Sequence, residues 1–228
     1  MTLSEHLSHA LTNEIAFSIP IGSFQLDIPK TTVTQWIIMA VLILLAFIFT
    51  RNLKVVPTGK QALLETFLEM LYKLFYGVLG EHGKKYIPYM MTLIIFIGSS
   101  NIMGIFHMTP PTKNINATGA LAVMSIVLIQ YASIKHRGVG GWLKHFGHPN
   151  KIVTPLNVLE LVIKPFSLCM RLFGNILGAF IVMELIIFCI PVGVPAIFSL
   201  YFDLFDGLLQ AYIFCFLTSL YIGEAIED

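Results

Sequence analysis

Along the chain, long uncharged runs alternate with short segments where Lys, Arg, Gly and Pro collect. The first run, residues 32–50, matches the roughly 20 apolar residues a helix needs to cross a bilayer, and Arg51 and Lys54 end it. Residues 59–79 follow another rule. Leu64, Phe67, Leu68, Leu71, Leu74 and Phe75 recur at helical spacing while Glu65, Glu69, Tyr72 and Lys73 take the other side, which predicts an amphipathic helix lying in the interface. A third run, Tyr86–Met108, is long enough to cross and stops at Thr109-Pro110-Pro111-Thr112, where prolines cannot continue a helix. A fourth extends from Asn116 to Ser133 and is closed by Lys135, His136 and Arg137, so residues 86–135 form a helical hairpin. After a Gly-rich polar loop (HRGVGGWLKHFGHPNK) come two unusually long runs, Val153–Ile190 and Ala196–Ile226, parted by Pro191-Val192-Gly193-Val194-Pro195. Each exceeds one perpendicular crossing, so residues 153–226 are expected to form a long, steeply tilted hairpin.

The expected architecture is an all-α integral membrane protein: one membrane domain over residues 1–228, with about five transmembrane helices, one amphipathic interfacial helix and an outer N-terminal segment, residues 1–31. Composition agrees, since 56% hydrophobic and 12% charged residues leave too little polar surface for a water-soluble globule of this size. No basic patch interleaved with aromatics points to nucleic acid. Cys169, Cys189 and Cys215 lie inside apolar runs without CxxC spacing and read as small buried hydrophobes. The first thirty residues carry Glu5 and Glu14 and lack the build of a cleaved leader, so the N-terminus is expected to be retained. With that terminus outside, Arg51, Lys54, Lys60, Lys84, Lys85, Lys135, Arg137, Lys144 and Lys151 fall on the cytoplasmic side, as does the C-terminus. Lys30 and Lys113 remain outside. No internal inverted repeat is apparent.

Candidate chemistry centres on Arg171. An arginine at mid-bilayer costs from roughly 3 to more than 10 kcal/mol depending on the reference, so a chain keeps one there for a reason. At about 3.6 residues per turn, Lys164, Ser167, Arg171, Gly174, Asn175 and Gly178 fall on one stripe, the small and polar face of an apolar helix. The competing reading is a buried charge paired with a carboxylate to fix helix packing, although Glu184 lies well round the helix. On the last apolar run, Ser199, Asp203, Asp206, Gly207 and Gln210 share a face at the same spacing. Asp203 and Asp206 suit either a wet pathway or the outer interface. Gln210 lies deeper and needs a partner, for which the arginine stripe is the obvious candidate.

RLFGN at residues 171–175, preceded by KPFSL and followed by LLQAYIFCFLTSLYI, resembles subunit a of the F-type ATP synthases. PPTKNINATGALA and IKHRGVGG add to the likeness, which covers nearly the whole chain from Trp36 on. The resemblance implies a non-catalytic, stationary subunit that moves protons or sodium ions through two half-channels against a rotating c-ring. Peripheral stalk b subunits and membrane lipid would be its other partners, no cofactor would be needed, and the location would be a bacterial inner (plasma) membrane. Arg171 would be the stator arginine, with Asn175 and Gln210 lining the same groove. Many relatives carry a carboxylate about nine residues after the arginine, where this chain has Phe180; Asp203 stands where many have His or Glu, and Asn114 replaces a common aspartate. The outer half-channel is therefore assigned to Glu184, Asp203 and Asp206. Glu160, about three turns before Arg171, suits either the cytoplasmic access route or an interfacial anchor. Asn101 and Ser99–Ser100 read as packing groups. His136, His145 and His148 gather in a Gly-rich segment without a fourth ligand, which speaks against a metal site. The rival functional reading is a self-contained cation channel or secondary transporter gated by Arg171. A membrane-embedded hydrolase finds no Ser/His/Asp set, HExxH or phosphate-cradling loop.

Overall fold

The computed structural model describes residues 15–21, 24–51, 53–57, 59–106, 110–146, 154–190 and 193–226. Residues 1–14 of the expected outer segment, Met108 and Thr109, His148, Lys151, Pro191, Val192, Glu227 and Asp228 lie outside them, and of the His145 and Lys144 side chains nothing is described.

Helices make up nearly all of the described chain, in keeping with the all-α expectation, and one short β-hairpin precedes them. Strands β1 (Ile15–Ile21) and β2 (Phe24–Pro29) pair antiparallel, with Ile21 opposite Phe24 and Ser18 opposite Asp27, and an irregularity between Ile15 and Phe17. The alternation Ile15, Phe17, Ile19, Ile21 against Ala16, Ser18 and Pro20 is a period of two, the strand signal. Helix α1 (Lys30–Thr50) follows directly. Its 21 residues span about 32 Å at about 1.5 Å each, close to the roughly 30 Å of a hydrocarbon core. Apart from Thr31, Thr34 and Ile38 it is largely uncovered, as an all-round apolar helix facing lipid should be.

Helix α2 (Lys60–Leu79) has the expected two faces. Leu71, Phe75 and Leu79 are buried one turn apart, while Lys73 and Glu69 pair at 2.8 Å on the exposed side. Gly80 ends it with φ 60° and an N–H bond to the Tyr76 carbonyl at 2.9 Å, a positive-φ conformation that glycine adopts without steric cost. Helix α3 (Ile87–Ile102) is shorter than its apolar run suggests. Its 16 residues cover about 24 Å before the backbone tightens to 3₁₀ over Met103–Phe106. Among the described residues, four helices are long and apolar enough to cross a membrane, Lys30–Thr50, Ile115–Trp142, Leu159–Cys189 and Ile197–Ile226, with the shorter α3 and the amphipathic α2 beside them.

Helix α4 (Ile115–Phe146) is started by Asn114, whose Oδ1 accepts the Asn116 N–H at 3.0 Å. It runs through most of the stretch expected to be a Gly-rich loop, broken only at Gly138, where φ is 71° and ψ 163°. Helix α5 (Thr154–Cys189) carries Pro155 in its first turn, where a missing N–H costs nothing, and Pro165 in its interior, where one backbone bond is lost. The last run is not one α-helix. Helix α6 (Val194–Ser199) passes into a π-helical segment, Leu200–Asp206, which passes into α7 (Gly207–Ile226).

The chain falls into two compact units. Unit one comprises Met1–Ile48, Phe96–Thr118 and Leu172–Tyr212; unit two comprises Phe49–Ile95, Gly119–Arg171 and Ile213–Asp228. Their interiors differ in kind. Unit two buries aliphatic and aromatic side chains such as Phe75, Ile87, Met90, Phe214 and Ile222. Its buried Thr218 and Ser219 donate to their own helix, to the Phe214 and Cys215 carbonyls. Unit one also buries Asn101, Thr112, Asn114 and Gln210, which bond between elements: Asn114 Nδ2 donates to Thr31 Oγ1 at 3.2 Å and Thr112 Oγ1 to Asn101 Oδ1 at 2.8 Å. Buried amides in apolar surroundings are costly unless paired, so this network marks where the chain spends stability on polar geometry.

Candidate functional site

Helix α5 sorts its residues as the stripe projection requires. Leu168, Leu172, Ile176 and Met183 are buried, while Arg171, Gly174, Asn175 and Gly178 are exposed. A Cβ added at Gly174 or Gly178 would meet nothing within 4 Å, so the face beside the guanidinium is open. Lys164 and Ser167, on the far side of Pro165 and two residues beyond it, are half-buried. Arg171 makes no ion pair among the described residues. A permanent charge exposed beside apolar neighbours and two glycines is expensive in lipid and is suited to a partner that comes to it.

In unit one, one turn beyond Arg171 along α5, Asn175 Nδ2 donates to Gln210 Oε1 at 2.7 Å. Gln210 is 1% exposed, and its Nε2 has no acceptor among the described residues. The expected polar stripe from Ser199 to Gln210 needs correction. It assumes α-helical spacing throughout, and the π-helical segment changes the phase between Asp203 and Gln210. Asp203 and Asp206 are both half-buried. Asp203 lies against Gly104, where an added Cβ would stand 2.6 Å from Asp203 Oδ1. Glu184 is half-buried on α5, and Phe180 carries Lys113 Nζ 3.4 Å from its ring centroid. Lys113, expected on the outer surface, is 8% exposed.

In unit two, Lys164 Nζ lies 3.3 Å from Glu160 and 3.0 Å from Glu224. Arg137 Nη2 donates to the Glu224 carbonyl at 3.5 Å, and the Lys164 ammonium stands 5.0 Å from the Tyr221 ring. Glu160 is thus exposed and ion-paired. Glu224, visible in the sequence only as a terminal charge, is its unexpected companion. His136 faces His82 edge-on at 6.2 Å. Sequence reasoning also undervalued Asn101, whose amide bridges two elements of unit one, because an asparagine in an apolar run does not show what it will reach.

The profile of the family described as ATP synthase A chain matches residues 32–223. The ATP synthase subunit a of Moorella thermoacetica is 39% identical over 212 residues, covering 91% of this chain and 97% of that protein. ATP synthase subunit a 2 of a Bradyrhizobium strain is 34% identical, covering 96% of each chain. The ATP synthase subunit a of Propionigenium modestum, described as sodium ion specific, is 33% identical over 93% of this chain and 79% of its own. With its multiple apolar helices, the chain belongs to the ATP synthase subunit a family, whose members are non-catalytic, ion-translocating subunits of the membrane sector.

Proposed function

We propose that the chain is the stationary half of a rotary ion pathway, a single membrane domain over residues 1–228 whose Arg171 face meets a c-ring, with peripheral stalk b subunits holding it against rotation. The observation that carries this is Arg171, exposed and without an ion pair among the described residues, on a face kept open by Gly174 and Gly178. A guanidinium stays charged across physiological pH, so in a low-dielectric groove it favours the ionised form of a passing carboxylate. The carboxylate releases its proton or sodium ion into one half-channel and reloads from the other, and the fixed positive charge blocks a direct leak. The membrane potential supplies about 2.3 kcal/mol per charge for each 100 mV.

Asn175 and Gln210 line the same groove; their mutual hydrogen bond supports this. Glu184, Asp203 and Asp206 serve the outer half-channel, which the half-buried setting and polar interior of unit one support. Glu160 lies at the cytoplasmic access route beside Lys164. The N-terminus lies outside a bacterial plasma membrane and the C-terminus in the cytoplasm, in keeping with the distribution of Lys and Arg. The test is Arg171→Ala in the assembled complex. ATP-driven ion pumping is expected to vanish while assembly persists, and retained pumping would overturn the reading. The rival, a self-contained channel or transporter, requires the purified chain alone to move ions in vesicles.

A further inference from the structure

The π-helical segment Leu200–Asp206 covers seven residues. Such backbone is rare, occurs mostly as a single widened turn, and needs support from its surroundings. The support lies within unit one. Asn101 is 2% exposed and uses both ends of its amide: Nδ2 donates at 2.7 Å to the carbonyl of Gly207, the first residue after the π segment, and Oδ1 accepts from Thr112 Oγ1 at 2.8 Å. Thr112 is 1% exposed, so neither bond has water to replace it. Two glycines permit the approach. A Cβ on Gly207 would stand 2.9 Å from Asn101 Cβ, and one on Gly104 would stand 2.6 Å from Asp203 Oδ1. The widened segment is gripped at Asp203 and at Gly207, and three residues further on Gln210 meets Asn175.

One α-helical residue subtends about 100°. Rewinding Leu200–Asp206 as α-helix, with α6 held, would advance α7 by about one residue and bring Leu209 to the place of Gln210. We propose that Asn101, held by Thr112, is a positioning residue: it locks the widened turn and so decides that Gln210, not Leu209, faces Asn175. The consequence for transport rests on the reading that the Asn175–Gln210 pair lines the ion path; the register itself does not.

The test uses the full chain in its assembled complex with Cys169, Cys189 and Cys215 replaced by serine. Asn175→Cys is paired with either Gln210→Cys or Leu209→Cys, and disulfide yields are compared after mild oxidation. With Asn101 present the 175/210 pair should dominate. Asn101→Leu should lower the ratio of 175/210 to 175/209 by about fivefold or more, the shift expected from losing a buried hydrogen bond. Thr112→Val, nearly isosteric, should lower it by about threefold and decides alone if Asn101→Leu fails to assemble. A ratio that stays constant, including an equal fall in both yields from general loosening, overturns the proposal. A shifted ratio with ion pumping intact upholds the positioning role and overturns the placement of Gln210 in the path.

Discussion

Gln210 allows stability and transport to be moved in opposite directions. Its side chain is 1% exposed, Oε1 accepts from Asn175 at 2.7 Å, and Nε2 has no acceptor among the described residues. Gln210→Leu keeps the volume close. It removes one hydrogen bond, worth about 0.5–1.5 kcal/mol in general and about 0.6 kcal/mol between membrane helices. It also removes a buried amide group whose missing partner costs about 1–3 kcal/mol. Asn175 is exposed and can find another acceptor, so little is lost on its side. The sum predicts a variant that is neutral or more stable by about 1–2 kcal/mol, yet defective in coupled transport. Denaturation midpoints of the chain in detergent, beside ATP-driven pumping in inverted vesicles, measure the two effects. Destabilisation beyond about 2 kcal/mol would refute the reasoning on the unpaired amide, and undiminished pumping would refute the place of Gln210 in the path.

Lys164→Met breaks two contacts to carboxylates that are themselves 51% and 58% exposed, so the loss should be about 1 kcal/mol rather than the several of a buried pair; a larger drop in the thermal midpoint would contradict that screening. Gly207→Ala forces a methyl group to 2.9 Å from Asn101 Cβ, and a destabilisation of about 1–3 kcal/mol is expected in the same denaturation assay. An unchanged midpoint would deny the close approach. The Lys73 ammonium, by hydrogen bond and charge, holds the Glu69 carboxyl below its ordinary value of 4.5. Its folded pKa is depressed, so the pair favours the folded state above that ordinary value and the contribution disappears as pH falls through the lowered one. A site-resolved NMR titration should show this, and Lys73→Ala should return Glu69 to the ordinary range.

Much of the architecture was legible because membrane burial acts through simple periods. An unbroken apolar run announced α1, and a 3.6-residue stripe announced both faces of α2 and the exposed face of α5. Four departures share a cause, since each depends on local balance rather than on pattern. The β1–β2 hairpin has its period-two signal, but a short run beside Pro20 is weak. Helix α3 gives way to a tighter turn just after Asn101, whose amide is taken up by Gly207 on another element. The stretch after His136 is helical on both sides of a kink, which Gly138 absorbs by taking a positive φ. The π-helical segment has no sequence period, for a widened turn is stabilised by what grips it from outside.

Residue types along the chain determined that it is apolar, that it crosses a membrane, and that Arg171, Asn175 and Gln210 are its conspicuous polar groups, because each is improbable in a lipid-facing run without a use. Only the tertiary structure decided which of them meet: Asn175 with Gln210, Lys164 with Glu160 and Glu224, Asn101 with Thr112 and Gly207. The physical reason is range. Hydrophobicity and helical period are properties of neighbouring residues, whereas a hydrogen bond at 2.7 Å joins positions as far apart as Asn101 and Gly207 and exists only once the backbone has delivered both atoms to one place.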